Sequence, residues 1–183
     1  MIPTAIVAGV DLSQSSDHAV ARAASLAVTH HAKLFLVHAT TDDKPPDPVE
    51  PSIVEQLGEV TAALRAEVAR RLAELVTSLR GRGIDVHLAT PHGPPGEVVA
   101  ELARSQGAQL ICVGTHGTTG ISRMLLGSVA TAILRHASCD VLVCRGPGTE
   151  PFQRPLGATD FSPAAARALE HAAALAAPYA PIG

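Results

Sequence analysis

The sequence has few aromatic residues and little net charge. Four aromatic side chains make up 2% of its 183 residues, too few and too scattered for the stacking platform that single-stranded nucleic acid requires. The net charge of −3 also argues against nucleic-acid binding, for which a basic face is expected. Apolar residues nevertheless make up 46% of the chain, so the core must be built from valine, leucine, isoleucine and alanine.

Long apolar runs and paired cysteines are also missing. No uncharged run approaches the roughly 18 residues of a membrane span, and the apolar N-terminus reaches Asp11 too soon for a signal peptide. The three cysteines, Cys112, Cys139 and Cys144, lack metal-type spacing and are typical of buried thiols in a reducing compartment. Burial of Cys112 is expected to raise its pKa and keep it unreactive. These absences predict a cytoplasmic protein without a cysteine nucleophile.

Short apolar runs alternate with helical patterns over the first 145 residues. Strands are predicted at 4–10, 33–39, 84–88, 109–113 and 141–144, and helices at 17–29, 52–80, 97–105 and 127–136. The longest helix carries an apolar stripe with steps of three or four residues: Leu57, Val60, Leu64, Val68, Leu72, Leu75 and Leu79. The alternation predicts an α/β fold, a Rossmann-like parallel sheet with helices on both faces.

Residues 110–136 predict a strand, a glycine-rich turn and a helix. Gly114 and Gly117 follow the strand, and nine residues later Gly127-Ser128 opens the helix. Glycines let a backbone approach a ligand closely, and the first turn of a helix offers free N–H groups to an anion. The pattern therefore predicts a phosphate cradle. In parallel sheets such sites lie beyond the carboxyl ends of the strands, so Asp11 and Gly114 should face each other if strands one and four are neighbours.

Two better-known phosphate motifs are absent, the Gly-x-x-x-x-Gly-Lys-Ser/Thr loop and Gly-x-Gly-x-x-Gly after a strand. The chain has only two lysines, Lys33 and Lys44, and neither is near the glycine turn. Any phosphate would therefore be held by backbone N–H groups, Ser128 and Arg123.

Each of these residues also has a purely structural interpretation. The glycines could serve the turn alone, and Ser128 could be only a helix cap. Asp11 could cap the first helix through an Asx-turn, and His38 could be a hydrogen-bonded residue that closes strand two. His116 and Arg123 could be solvated loop residues, while Gly93 and Gly96 are expected to shape the turn before the third helix.

The end of the chain repeats its beginning. Asp160 and Ser162 stand 149 residues after Asp11 and Ser13, and the order strand, Asp-x-Ser, helix is kept. Residues 1–146 are therefore interpreted as one domain, 147–152 as a linker, and 153–183 as the first strand and helix of a truncated second repeat. A strand and a helix bury too little surface to fold alone.

Together these features resemble the universal stress protein family, over 4–145 as a full domain and over 153–177 as the start of another. The most specific part is Gly114-x-x-Gly117, nine residues, Gly127-Ser128, which is similar to the ATP-binding pattern of that family. The resemblance implies a five-stranded sheet of order 3-2-1-4-5 with a nucleotide at the switch point. It also implies a homodimer through the fifth strand, 140–145.

The resemblance further implies a set of binding residues for ATP, alone or with Mg²⁺. Asp11 and the Ala39 backbone would meet ribose and adenine, with Val10 and Val113 lining that pocket. The phosphates would be surrounded by Gly114, His116, Gly117, Gly127, Ser128 and Val129.

Three functions remain open at this stage. The first is a nucleotide-responsive stress protein, the second a slow ATPase, and the third a dimeric scaffold whose glycine loop is empty. Efficient hydrolysis needs a held metal and a positioned water, yet no acidic residue occurs between positions 108 and 137. We therefore expect nucleotide binding with at most slow ATP hydrolysis, and no catalytic residue is assigned.

Overall fold

The structure is a computed structural model. It describes residues 2–41, 51–115, 126–146, 148–150, 152 and 154–176, with 51–57 described by their backbone only. The strands are β1 (Ala5–Gly9), β2 (Lys33–Val37), β3 (Val86–Ala89), β4 (Leu110–Gly114) and β5 (Asp140–Cys144). The helices are α1 (Gln14–His30), α2 (Pro51–Gly81), α3 (Pro95–Ser105), α4 (Ser128–His136) and α5 (Pro163–Ala176).

The five strands form one parallel sheet in the order β3-β2-β1-β4-β5, which confirms the predicted fold class. β1 lies at the centre and is almost entirely buried, because helices cover both faces of the sheet. The clusters of buried residues place α1 and the second half of α2 on one face and α3 and α4 on the other. Continuous apolar runs such as that of β1 are expected for strands covered on both sides.

The apolar stripe of α2 is buried only in the second half of the helix. Leu72, Val76 and Leu79 are buried, whereas Val60 is 66% and Leu64 62% exposed. A helix of 31 residues is about 46 Å long, while a strand of five residues spans about 17 Å. The first half of α2 therefore extends past the sheet that buries its second half.

Gly96 does more than shape a turn, contrary to expectation. It lies inside α3, and a Cβ there would come within 2.4 Å of the Ala132 Cβ on α4. The missing side chain allows α3 and α4 to cross closely. Gly93, by contrast, does serve the turn, since its φ of +139° favours glycine.

The end of the chain contains a helix but no strand among its described residues. Residues 155–160 are irregular, and α5 follows after Phe161 and Ser162. An extended segment is stable only when a neighbouring strand satisfies its backbone groups, and no strand lies beside 155–160 in the described structure. The strand predicted at the start of the second repeat is therefore not found among the described residues, which contain the turn and α5.

Candidate functional site

The switch point of the sheet lies between β1 and β4. After β1 the chain continues to β2 on one side of the sheet, and after β4 it continues to β5 on the other side. Ala8 is paired with Cys112, so the chain leaves both strands at the same edge. The residues that follow β1 and end β4, including Asp11 and Gly114, are thereby brought to one crevice.

The residues that end and follow β2 lie beside the residue that follows β1. Val10 donates its N–H to the Val37 carbonyl at 2.8 Å, which extends the pairing of the first two strands. His38 places its Nδ1 2.9 Å from the Val10 carbonyl oxygen. The expectation that His38 closes a strand through a hydrogen bond is confirmed. Ala39 follows it and is half-buried.

Asp11 begins a tight turn that caps α1. Its Oδ1 accepts a hydrogen bond from the Ser13 N–H at 3.0 Å, and the Ser13 hydroxyl accepts one from the Ser16 N–H at 3.2 Å. Leu12, between them, has a φ of +61°. The Asx-turn considered for Asp11 is therefore formed, and it satisfies N–H groups at the start of α1.

Gly114 is required by close packing at the junction of β4 and α1. A Cβ at this position would lie 2.4 Å from the Ser15 Oγ and 2.6 Å from the Ser15 carbonyl oxygen. Gly114 thus packs directly against Ser15, in the first turn of α1. The hydroxyls of Ser15 and Thr115 stand 3.5 Å apart.

The glycine-rich turn is closed at its base by the backbone. Gly127 donates its N–H to the Thr115 carbonyl at 2.8 Å, which brings the start of α4 against the end of β4. His116, Gly117 and Arg123 lie outside the described residues, so their part in the site stays a prediction.

The first turn of α4 has no side-chain cap among the described residues. Gly127 is the N-cap residue, in contrast to the serine that caps α1. Ser128 is exposed and Val129 is half-buried. Uncapped N–H groups at a helix start, together with the positive end of the helix dipole, favour an anion.

Ser15 and Thr115 were not singled out from the sequence, although both lie where Asp11, Gly114 and α4 converge. A signal was available in the three serines Ser13, Ser15 and Ser16, since hydroxyls at a helix start commonly cap the helix or contact an anion. Sequence alone does not show which of these serines turns toward β4.

Another depression lies elsewhere on the surface. It has a volume of about 640 Å³ between α3 and α4 and shares no residue with the crevice; His92, Glu97, Arg104 and His136 are among its lining residues. Its lining thus combines acidic and basic side chains. Among the described residues, no group of three or more metal-ligating side chains is found. None of the helices in the described ranges is long and apolar enough to cross a membrane.

The fold defines a class of protein, the doubly wound α/β proteins, in which ligands commonly bind at the switch point of the sheet. The chain belongs to the universal stress protein family, whose model matches residues 4–145.

A relative from Coxiella burnetii, universal stress protein A homolog 1, is 36% identical over 145 residues, which cover 75% of this chain and 92% of the relative. A solved universal stress protein from Archaeoglobus fulgidus matches with a TM-score of 0.66 and 22% identity, over 96% of this chain and 63% of that one. A universal stress protein solved in complex with cAMP matches with a TM-score of 0.51 and 26% identity, over 79% of this chain and 98% of that one.

Proposed function

We propose that the chain binds an adenine nucleotide, ATP in particular, between the carboxyl ends of β1 and β4. The observation that carries the proposal is the uncapped start of α4, which the bond from Gly127 N–H to the Thr115 carbonyl (2.8 Å) holds beside the end of β4. Backbone N–H groups arranged in this way hold phosphates without a lysine. The related protein solved with cAMP supports an adenine nucleotide as the ligand class.

The adenosine half of the ligand would lie toward β1 and β2. Asp11 has one carboxylate oxygen on the Ser13 N–H, which leaves acceptor capacity for the ribose hydroxyls, because an ionised carboxylate has about four lone-pair sites. Val10 and Val113 are buried apolar residues at the ends of β1 and β4, where they would line the base and sugar pocket beside the Ala39 backbone.

The phosphates would lie on the glycine side of the crevice. Gly114, Gly127, Ser128 and Val129 would contribute backbone N–H groups and one hydroxyl, joined by His116 and Gly117 from the loop. A magnesium ion would be carried mainly by the phosphates and water, as this cation commonly is. The site is therefore suited to binding, and hydrolysis would be slow because no second carboxylate accompanies Asp11 at the described part of the crevice.

Isothermal titration of the full chain with ATP, ADP, AMP and cAMP tests this proposal. Gly127→Val should abolish binding, because its side chain would occupy the approach to the first turn of α4, and Ser128→Ala should weaken it. Ser138→Ala, an exposed serine beyond the other end of α4, is the matched control and should bind as the native chain does. If the Gly127→Val variant bound ATP as tightly as the native chain, the proposed phosphate site at the start of α4 would be contradicted.

Two other results would favour the competing functions. A native chain that binds none of these nucleotides while remaining dimeric would favour the scaffold. Multiple-turnover phosphate release well above that of the Ser128→Ala variant would favour an ATPase.

The homodimer proposed through strand 140–145 depends on a free sheet edge. β5 pairs only with β4 among the described strands, and Val141, Leu142 and Val143 are half-buried. An unpaired edge of this kind can add a strand from a second copy. Light scattering after size exclusion should give twice 18.8 kDa, and Val141→Lys should give the monomer. Leu88→Lys on β3, the opposite edge strand, should leave the dimer intact.

The domain division is proposed on the local geometry of the two Asp-x-Ser turns. The Asp160 Oδ1 accepts a hydrogen bond from the Ser162 N–H at 2.9 Å, and the Ser162 hydroxyl accepts one from the Ala165 N–H at 3.1 Å. Phe161, between them, has a φ of +63°, matching the left-handed Leu12.

Limited trypsin digestion tests whether 153–183 is a separate unit. Cleavage after Arg167, which is exposed on α5, should precede any cleavage within 4–145. Equal resistance of α5 and the first domain, in a chain shown to be monomeric, would contradict a separate unit.

A further inference from the structure

Helix α5 buries little of its surface against the first domain. Ala176, at 6% exposed, is its one buried residue, and Leu175 packs against the apolar cluster on the α1 face. The side chains of its first two turns are mostly exposed. A helix of 14 residues is only marginally stable by itself in water, and so small an apolar contact adds little to its stability. A single polar contact can therefore decide whether α5 stays docked.

Such a contact joins α5 to the edge strand of the sheet. His171 places its Nδ1 2.7 Å from the Asp140 Oδ2, and the two side chains are 26% and 42% exposed. Asp140 is the first residue of β5. His171 lies four residues before Leu175, and residues at this spacing share one face of a helix. The ion pair and the apolar contact thus lie on the same side of α5.

A second attachment holds the chain between β5 and α5. We call residues 148–150 and 152 the strap. Arg22 on α1 donates from Nη1 to the Glu150 carbonyl at 2.7 Å, and its guanidinium lies 4.6 Å from the centre of the Phe152 ring. Ser25 on α1 donates to the Thr149 carbonyl at 3.4 Å. Because an arginine side chain keeps its proton in proteins, the attachment of the strap does not respond to pH.

The pair of His171 and Asp140 differs from the strap in this respect. Histidine is the side chain that ordinarily changes its charge between pH 5 and 8. A protonated imidazole attracts the carboxylate, whereas a neutral one offers a hydrogen bond alone, and charge-assisted hydrogen bonds are about twice as strong as neutral ones. The attraction is therefore present at the acidic end of this range and is lost toward its basic end.

The charged groups on the surrounding elements do not change in the same way. Arginine and glutamate ordinarily keep their charge between pH 5 and 8. Burial, and then the charge of Asp140, raise the pKa of the Cys139 thiol, so this neighbour stays neutral. The arginines and glutamates on α1, α4, the segment after β5 and α5 are Arg22, Arg135, Arg145, Glu150, Arg167 and Glu170.

Other histidines on these elements lie further away or are tested by substitution. Asp17 and His18 belong to the first two turns of α1, at the crevice. His30 and His31 end α1 where it leads into β2, which β1 and β4 separate from β5, and burial lowers the pKa of His30. His136 is exposed at the end of α4, four residues before the start of β5. It is the histidine whose contribution an experiment must exclude.

We propose that His171 and Asp140 form a pH-sensitive latch between α5 and the first domain. At mildly acidic pH the charged pair holds α5 against the start of β5. As the pH rises the imidazole loses its proton, the attraction is lost, and α5 leaves β5 more often, while the strap stays on Arg22. The latch sets how firmly the proposed second repeat is docked on the first domain, and it does not depend on the nucleotide site.

Hydrogen exchange of the full chain, followed by mass spectrometry, measures the latch at about pH 5.5 and about pH 7.5, on either side of the usual range for histidine. Exchange times are scaled to the intrinsic chemical rate at each pH. Released α5 loses its support, so the protection of peptides from 163–176 should be about two- to fivefold higher at the acidic pH. Peptides from β1 report global unfolding and should show no corresponding change.

Two substitutions keep a hydrogen-bond donor for Asp140 and remove the titration. His171→Gln is neutral, so α5 should have the lower protection at both pH values. His171→Lys stays positive, so α5 should have the higher protection at both. His136→Gln is the matched control and should keep the native pH dependence. The proposal is overturned if native α5 is equally protected at both pH values, if β1 changes by the same factor, if the pH dependence persists in His171→Gln, or if His136→Gln removes it.

Discussion

The two Asp-x-Ser turns are nearly identical in local geometry and opposite in their surroundings. Asp11-Leu12-Ser13 and Asp160-Phe161-Ser162 share the side-chain bond to the third residue, the hydroxyl cap and a left-handed middle residue. Leu12, however, packs against the core, while Phe161 is 93% exposed. A short sequence thus specifies the turn, but in the described structure only the first turn adjoins the end of β4, where we propose the nucleotide site.

The largest effect is expected from disrupting the contact between β4 and α1, which accompanies the first turn and not the second. Gly114→Ala places a Cβ 2.4–2.7 Å from side-chain and backbone atoms of Ser15, and backbone atoms cannot turn aside. We expect a loss of about 1–3 kcal/mol in the free energy of unfolding and weaker nucleotide binding. Urea denaturation measures the first and titration with ATP the second.

Gly58→Ala is the control for that substitution. Its added methyl group would meet nothing within 4 Å, so replacing a glycine inside α2 should stabilise the chain by about 0.5–1 kcal/mol. A neutral Gly114→Ala would show that α1 and β4 are not held in the close contact described above.

The next effect compares the two aspartates as ligands. Asp11→Ala should weaken ATP binding about tenfold to a hundredfold, because hydrogen bonds to a charged group contribute about 1.5–3 kcal/mol. Asp160→Ala should leave the affinity unchanged, since its turn adjoins no described strand. Asp11→Asn keeps an oxygen for the Ser13 N–H but loses the charge. An affinity between those of the native chain and Asp11→Ala would show that the charge contributes to ribose binding beyond the role of Asp11 in the turn. Equal losses for Asp11→Ala and Asp160→Ala would place the nucleotide elsewhere.

A smaller effect compares the two helix caps. Ser13→Ala removes the acceptor for the Ser16 N–H and should cost about 0.5–2 kcal/mol of unfolding free energy. Ser162→Ala removes the equivalent bond in α5, yet it should change the main unfolding transition by less than about 0.5 kcal/mol, because Ala176 is the one residue of α5 that is buried. A large effect of Ser162→Ala would mean that α5 unfolds together with the first domain.

The smallest effect is a pH dependence confined to the second turn. Hydrogen bonds from the Ser162 side chain and backbone lower the pKa of Asp160, so the ionised form favours the folded turn. This contribution is fully present above the unfolded pKa of about 3.9 and is lost as the pH falls through the lower folded value. The amide resonance of Ser162 should therefore titrate below pH 3.9, and Asp160→Asn should abolish that titration.

The fold was largely predictable because its signals are local. Apolar runs, helical periodicity and glycine breaks determine strands and helices within a few residues, and the alternation leaves a parallel sheet. The phosphate cradle was indicated by Gly127-Ser128, which does begin α4.

The features that could not be predicted from the sequence concern long-range packing. The exposure of Val60 and Leu64 depends on where the sheet ends, and the role of Gly96 depends on the helix that crosses it. The close packing of Gly114 against Ser15 and the bond from Arg22 to the Glu150 carbonyl, for which the sequence carried no prediction, likewise join residues far apart in the chain. Periodicity specifies which face of an element is apolar and carries no information on which neighbour meets it.

The close crossing of α3 and α4 has a mechanical consequence. With 2.4 Å available where a methyl group at Gly96 would meet Ala132, the two helices cannot slide past each other without repacking. A displacement of α4 is therefore expected to carry α3 with it, so that the two helices behave as one layer on their face of the sheet.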